Sequence, residues 1–238
     1  MTDHVLVSFD IDGTLMICDN ARVHRAAFRA ATFSLTGEDK PVEEYLGIPL
    51  SGCTDSYVAE KVLKKFLKTD NIPEEHFVKF MKKTEEFFLD TFDDRLDLMP
   101  GVTKLLTELN KIPNVTLAIC SGNYPRIGLK KLESANLIHF FKNQIAGWGF
   151  HPNRADILRD SIKEAKKVTG HDFTRIIHVG DAPQDAQAAI DTGSIPVIVR
   201  TSRHKFHTSD FPKSSIILTN FEQNLDDFIH IVKTGALP

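Results

Sequence analysis

The stretch Phe9-Asp10-Ile11-Asp12-Gly13-Thr14-Leu15 follows directly on the apolar run Val5-Leu6-Val7-Ser8-Phe9. The run has the length and β-branched content of a buried strand, and Gly13 ends the pattern. A strand that ends in Asp-x-Asp would carry two carboxylates and several backbone N–H groups to the carboxyl edge of a sheet, where ligands bind in open α/β folds. One carboxylate could then act as a nucleophile while the other transfers protons.

Taken alone, Asp-x-Asp-Gly is also the pattern of an ordinary turn with a solvated carboxylate. Two later apolar runs favour a site, because each of them also ends in polar residues. The run over 115–120 is followed by Ser121-Gly122-Asn123, and the run over 176–180 by Asp181-Ala182-Pro183-Gln184-Asp185. The carboxyl ends of parallel strands meet at one edge of a sheet, so the three segments are predicted to form one site.

The periodicity divides the chain into a helical part and an alternating part. Between the first motif and Leu98 we find no convincing strand, and helices are predicted over 21–33, over 55–67 and after Pro73. From Pro100 onward helices alternate with strands, which predicts a parallel sheet with helices on both faces. The helices predicted there span 102–109, 126–135, 155–168 and 186–192, and the strands span 115–120, 144–146, 175–179 and 196–199.

In order and spacing these residues resemble the motifs of the haloacid dehalogenase superfamily, in its phosphoglycolate-phosphatase-like branch. The matching positions, in motif order, are Asp10 with Asp12, then Ser121, then Arg154, then Asp181 with Asp185. The resemblance implies a Rossmann-like α/β core, formed by residues 1–16 and 99–238. It also implies a small α-helical cap domain inserted over residues 17–98.

The two carboxylates of the first motif suit the hydrolysis of a phosphate monoester. Asp10 would attack phosphorus and form an aspartyl-phosphate. Asp12 would protonate the leaving oxygen and then activate the water that hydrolyses this intermediate.

A cation is required because Asp10 would repel the phosphate dianion. Asp10 and Asp181 could share a Mg²⁺, which prefers oxygen ligands. The resemblance adds the backbone carbonyl of Asp12 as a third ligand. Asp185 would orient a ligand or bridge to the ion through water, unless it is only an acidic residue in the first turn of a helix.

The second and third motifs supply the candidate phosphate-binding residues, which are Ser121, Gly122, Asn123 and Arg154. Hydroxyl and backbone N–H groups at a strand end can donate to phosphoryl oxygens. The family usually presents Lys at the third motif, but Arg154 offers a bidentate fork that suits phosphate equally. Its rivals, Arg159 and Lys163, are interpreted as helix-surface residues.

The loop over 47–55 resembles the segment that such caps lower onto the active site. We therefore predict that Ser51, Thr54 and Asp55 select the substrate, although Thr54 or Asp55 could equally be the N-cap of the following helix. Arg22 and His24, just past the first motif, are candidates for reaching the leaving group, or else plain surface residues.

Composition is that of a soluble enzyme. The chain has 238 residues, 42% of them hydrophobic, with a formal net charge of -3. That charge gives no general attraction for nucleic acid, and no run is long and apolar enough for a membrane helix. The first strand begins almost at once, with no leader pattern, so a cytoplasmic protein is expected. We also expect a monomer or a homodimer.

Together the motifs predict a Mg²⁺-dependent phosphatase of a small phosphorylated metabolite, either phosphoglycolate-like or a sugar phosphate. A sugar phosphomutase would share every core residue and would differ in excluding water from the phospho-enzyme. A catalytically silent binding protein is the third alternative, and the intact set of motif residues argues against it.

Overall fold

The computed structural model describes residues 3–17, 21–50, 52–93, 96–200 and 206–238. The strands are β1 (Val5–Phe9), β2 (Met16–Ile17), β3 (Asp97–Leu98), β4 (Val115–Cys120), β5 (Ala146–Gly147), β6 (Arg175–Gly180), β7 (Ile195–Val199) and β8 (Ile216–Leu218). The helices are α1 (Ala21–Thr36), α2 (Val42–Leu46), α3 (Asp55–Leu67), α4 (Glu74–Thr91), α5 (Val102–Leu109), α6 (Pro125–Ser134), α7 (Arg154–Thr169), α8 (Pro183–Asp191) and α9 (Leu225–Thr234).

A parallel sheet of six strands, in the order β5-β4-β1-β6-β7-β8, forms the centre of the molecule. Strand β1 lies in its middle and is buried on both faces, which explains its nearly continuous apolar sequence. Val5, Val7 and Phe9 pack into the same cluster as residues of α5 and α9, whereas Leu6 packs with Ala165 of α7 on the other face. The predicted α/β class, with helices on both faces of a parallel sheet, is confirmed.

Several predicted boundaries are wrong, for local reasons. The strand expected over 144–146 begins only at Ala146, because a 3₁₀ turn over Lys142–Gln144 precedes it and Asn143 and Gln144 both have positive φ. The helix expected from 186 begins at Pro183, which suits a first helical turn. Helix α2 and the terminal elements β8 and α9 were not predicted. Strands β2 and β3 were also missed, because two residues are too few for a periodic signal.

Helices α1 to α4 lie between β2 and β3 and together form the helical insertion. Their own apolar cluster includes Phe28, Val62, Leu63 and Phe80. Strands β2 and β3 pair antiparallel, Met16 with Leu98, at the point where the insertion leaves and rejoins the sheet. The predicted borders, 16/17 and 98/99, fall in this ribbon, while the division into two domains stays a prediction.

Within the described residues, none of the helices combines the length and the apolar character needed to cross a bilayer.

Candidate active site

The carboxyl ends of β1, β4 and β6 meet at one edge of the sheet and surround a cavity of about 160 Å³. This is where parallel strands deliver their loops in open α/β folds. The predicted site residues that line the cavity are Asp10, Asp12, Asp55, Ser121, Gly122, Asn123, Arg154 and Asp181. The structure therefore brings together residues that lie up to 171 positions apart in the chain.

Asp10 lies at the floor of the cavity, immediately after β1. Its backbone N–H donates to Val179 O at 2.9 Å, which continues the pairing with β6. Its side chain is almost fully buried, and Oδ2 lies 3.3 Å from Nη1 of Arg154. Burial raises the pKa of Asp10 to about 7, since the opposing effect of Arg154 is the smaller one and Asp185 and Asp181 add repulsion.

Three carboxylates form a compact group of oxygen ligands. Oxygen atoms of Asp10, Asp181 and Asp185 all lie within 4.8 Å of one another, and all three residues are buried. Gly13, with φ +81°, keeps this space open because a Cβ there would run into the carboxylate of Asp181. A buried cluster of hard anionic oxygens fits Mg²⁺.

Asp185 holds this group in place and is not among the residues that line the cavity. Its Oδ2 accepts the backbone N–H groups of Asp181 at 3.2 Å and Ala182 at 3.0 Å. Its Oδ1 lies 2.8 Å from Nη1 of Arg154 and 3.6 Å from Nε2 of the buried His178. Because both of its oxygens have partners, Asp185 fits the predicted role of orienting a metal ligand. An acidic residue that served only the first turn of a helix would not need the contacts with Arg154 and His178.

The charge on Asp10 leads to a prediction for metal binding. In the metal-free protein the raised pKa of Asp10 favours folding at low pH, and this contribution is lost as the pH rises through about 7. Bound Mg²⁺ would compete with that proton. We expect its dissociation constant to be roughly 30-fold larger at pH 5.5 than at pH 8, by one-proton linkage. Calorimetric titration at both values measures this, and equal affinities would contradict the assignment of Asp10 as a ligand.

Arg154, which the sequence analysis matched to the third motif, reaches the site, while its assignment to that motif stays a prediction. It is the first residue of α7, whose N-cap Asn153 accepts the N–H of Ala155 at 2.9 Å. Its guanidinium is buried, contacts Asp10 and Asp185, and lines the cavity. The rivals Arg159 and Lys163 are exposed on the same helix, as expected.

Asp12 is held by a lysine that the sequence analysis missed. Nζ of Lys131, on α6, lies 2.8 Å from Oδ1 and 2.6 Å from Oδ2 of Asp12, and Nδ2 of Asn123 donates to Oδ2 at 2.8 Å. Burial tends to raise the pKa of Asp12, but the Lys131 ammonium and these hydrogen bonds outweigh it and hold the pKa well below its usual range. Asp12 is thus a carboxylate, the form that accepts a proton.

One sequence signal could have found Lys131. It lies four residues after the buried Ile127 and beside the buried Leu132, so it falls on the apolar stripe of α6. A lysine on such a stripe is rarely buried unless it is paired.

Ser121 and Asn123 form a hydrogen-bonded pair beside Asp12. Nδ2 of Asn123 donates to Oγ of Ser121 at 2.7 Å as well as to Asp12, and its Oδ1 accepts from Lys131 at 3.0 Å. Both amide hydrogens are therefore used, and the backbone N–H of Asn123 also donates to Oγ of Ser121, at 3.4 Å. Gly122 allows close approach, since a Cβ there would lie 3.3 Å from Nη2 of Arg154.

The loop before α3 is bonded to the core. Thr54 is the N-cap of α3, accepting the N–H of Tyr57 at 3.1 Å, and its hydroxyl donates to His151 O at 2.8 Å. These contacts agree with the helix-cap alternative for Thr54. Asp55 lines the cavity, and its backbone N–H donates to Gly122 O at 2.8 Å. Ser51 lies outside the described residues.

Asp55 also links the insertion to both sides of the cavity. Its Oδ2 accepts the N–H of Tyr124 at 2.6 Å and lies 3.2 Å from Nε2 of His24. His24 therefore lines the cavity, whereas Arg22 is exposed. The remaining wall from the insertion is apolar, formed by Phe28, Leu50 and Val58.

Several solved proteins have a similar fold. β-Phosphoglucomutase from Clostridium difficile is similar to the chain with a TM-score of 0.66 and 18% identity, over 97% of this chain and 96% of that one. CbbY from Rhodobacter sphaeroides, solved with phosphate and, as a mutant, with xylulose-(1,5)bisphosphate, has a TM-score of 0.62 and 18% identity, over 92% and 95%. At such identities the likeness establishes the fold.

No curated protein sequence matches the chain significantly. The sequence profile of the haloacid dehalogenase-like hydrolases, however, matches residues 5–193, which include all four motifs placed above. The chain therefore belongs to the haloacid dehalogenase-like hydrolase family.

Proposed function

We propose that the protein is a Mg²⁺-dependent phosphatase that hydrolyses a small phosphorylated metabolite through an aspartyl-phosphate on Asp10. One observation carries the proposal: the buried carboxylate of Asp10 contacts the guanidinium of Arg154 and belongs to a cluster of three carboxylates that could hold a metal ion. A second carboxylate, on Asp12, lies two residues along the same loop. That arrangement provides a nucleophile, a phosphate-binding cation and a proton acceptor in one cavity.

Each group would have a defined task. Arg154, the hydroxyl of Ser121 and the backbone N–H of Gly122 would bind the phosphoryl oxygens and orient phosphorus toward Asp10. Asp10 would attack phosphorus as the bond to the leaving oxygen breaks, and Asp12, which would take up a proton as the substrate binds, would give that proton to the leaving oxygen. Asp12 would then take the proton from the water that cleaves the aspartyl-phosphate. Mg²⁺, held by Asp10, Asp181 and the carbonyl of Asp12 and oriented by Asp185, would neutralise the repulsion between carboxylate and phosphate.

The size of the cavity supports a small metabolite as the substrate. Its volume of about 160 Å³ suits a phosphoryl group with a small leaving group. The leaving group would meet His24 and Asp55 on one side and the apolar wall of Phe28, Leu50 and Val58 on the other. Phosphoglycolate-like acids and sugar phosphates both have this size and mixed polarity.

A sugar phosphomutase is the second candidate, and the closed insertion favours it. Thr54, Asp55 and Ser56 all bond to core loops, so the cavity is covered as a mutase requires in order to keep water from the phospho-enzyme. β-Phosphoglucomutase is among the proteins of similar fold. The two candidates differ in product and not in core residues.

A phosphate-release screen with and without Mg²⁺ separates the candidates. The panel comprises phospho-acids, phospho-sugars and nucleotides, with sugar bisphosphates added as possible phosphoryl donors. A phosphatase releases phosphate from one class in a Mg²⁺-dependent manner. A mutase interconverts two phospho-sugars with little release, and a silent binder does neither.

The roles of Asp55 and Thr54 can be separated by matched variants. Asp55→Asn keeps the shape but removes the charge that faces His24, so we expect the ratio of kcat/KM between two alkyl phosphates to change by roughly 10-fold. Thr54→Ala removes an N-cap and should lower the free energy of unfolding by about 1 kcal/mol without changing that ratio. If the Asp55 variant keeps the wild-type substrate ranking, Asp55 only closes the loop and does not select the substrate.

A further inference from the structure

Lys131 is a buried cation that the steps described above do not use. Its side chain is 3% exposed, and it projects from α6 into the cavity wall. The ammonium contacts both oxygens of Asp12 and the Oδ1 of Asn123, and it lies 5.6 Å from the ring centroid of Phe88 on α4. The other buried residues of α6 are Ile127, Gly128 and Leu132, as expected for the inward stripe of a helix.

The position of this charge is costly without Asp12. An ammonium loses several kcal/mol of hydration on burial and recovers it only through close, well-directed partners. Ile127 and Leu132 show that the stripe accepts aliphatic side chains. Packing alone therefore gives no reason for a lysine there, whereas its contacts with Asp12, Asn123 and the ring of Phe88 compensate its burial.

The contacts restrict which atom of Asp12 can react. A carboxylate has about four acceptor positions, two on each oxygen. Lys131 takes one position on each oxygen, and Asn123 takes the second on Oδ2. Among the residues that the structure describes, no donor takes the remaining acceptor position, which is on Oδ1, and the side chain cannot rotate without breaking these bonds.

We infer that Lys131 is a positioning residue of the reaction, which holds the Asp12 carboxylate so that Oδ1 faces the proton to be transferred. The inference rests on the proposed phosphatase function. Phe88, which belongs to the helical insertion, covers the ammonium and keeps water from competing for it. The insertion therefore supports the geometry of Asp12 as well as covering the substrate.

The test compares Lys131→Met, Lys131→Arg and the matched control Lys130→Met. Lys130 is the neighbouring residue on α6, and its ammonium lies over Phe92, away from Asp12. The probes are p-nitrophenyl phosphate, whose leaving group needs no proton, and the best alkyl phosphate of the screen. Asp12 is 27% exposed, so water can solvate it in Lys131→Met and the variant is expected to fold.

For the alkyl phosphate, Lys131→Met should lower kcat roughly 10- to 100-fold. KM should stay within about 3-fold, because a positioning defect acts on the chemical step. In the first turnover, p-nitrophenolate should be released from p-nitrophenyl phosphate nearly as fast as by the wild type, because this leaving group needs no proton from Asp12. Lys131→Arg should recover much of the alkyl phosphatase activity, and Lys130→Met should leave both rates unchanged.

A crystal structure of Lys131→Met tests the inference even if no phosphatase activity is found. We expect the Asp12 side chain to adopt a different or mixed orientation. An unchanged orientation of the Asp12 side chain would overturn the positioning role. So would an equal loss of rate on both probes, or a loss of rate in Lys130→Met equal to that in Lys131→Met. Absence of any phosphate release by the wild-type protein would instead overturn the proposed function and leave the structural readout valid.

Discussion

Asp10→Asn is expected to lower kcat by roughly 10⁴-fold or more, the usual scale for loss of a nucleophile. The amide has the shape of the carboxylate but no anionic oxygen to attack phosphorus. The fold should survive, because the change removes repulsion between Asp10 and the buried Asp181 and Asp185. Initial rates of phosphate release, measured on protein checked by mass spectrometry for deamidation, give the result.

Asp90→Asn provides the matched control for this variant. Asp90 is exposed near the end of α4, so the same chemical change there should affect neither rate nor stability. Without metal, the thermal midpoint of Asp10→Asn should equal or exceed that of the wild type. An Asn variant that hydrolyses substrate at close to the wild-type rate would exclude Asp10 as the nucleophile.

Removal of Mg²⁺ is expected to have the second largest effect. Asp10, Asp181 and Asp185 place three carboxylates within 4.8 Å, and Arg154 alone cannot neutralise them together with a phosphate dianion. We expect a loss of at least roughly 10³-fold after exhaustive EDTA treatment, because a bound cation contributes several kcal/mol to such transition states. Added Mg²⁺ should restore the rate.

Ca²⁺ should inhibit where Mg²⁺ activates. Its larger and more flexible coordination sphere can bind both oxygens of Asp10 and so turn the nucleophile away from phosphorus. The control is EDTA already saturated with Mg²⁺, which should have no effect. Full activity in the metal-free protein would exclude the role assigned to the cluster.

The parts of the site that depend on strand ends could be predicted from the sequence. Asp10, Ser121 and Asp181 each follow a buried apolar run, and parallel pairing brings such ends together whatever the details of the loops. Arg154 could be distinguished from Arg159 and Lys163 because only the first residue of α7 lies at the sheet edge. The family profile matches residues 5–193, which include these strand ends.

Features that depend on packing between distant elements could not be predicted. The apolar stripe of α6 could have singled out Lys131 from the adjacent Lys130 as a buried residue, but only the packing of α6 decides that its partner is Asp12. The closure of the 52–56 loop likewise depends on backbone groups, such as Gly122 O and Gly149 O, which carry no sequence signal. Strands β2 and β3, with two residues each, are too short for alternation to appear.

The central claim, phosphoryl transfer to Asp10, is tested most directly by trapping the phospho-enzyme. The protein is mixed with Mg²⁺ and its best substrate, quenched in acid within the first turnover, digested and analysed by mass spectrometry. We expect one phosphoryl group on Asp10 itself, labile to hydroxylamine as an acyl phosphate is, and absent from Asp10→Asn. Substrate turnover with the phosphoryl group on another residue, or with Asp10→Asn labelled as strongly as the wild type, would contradict it.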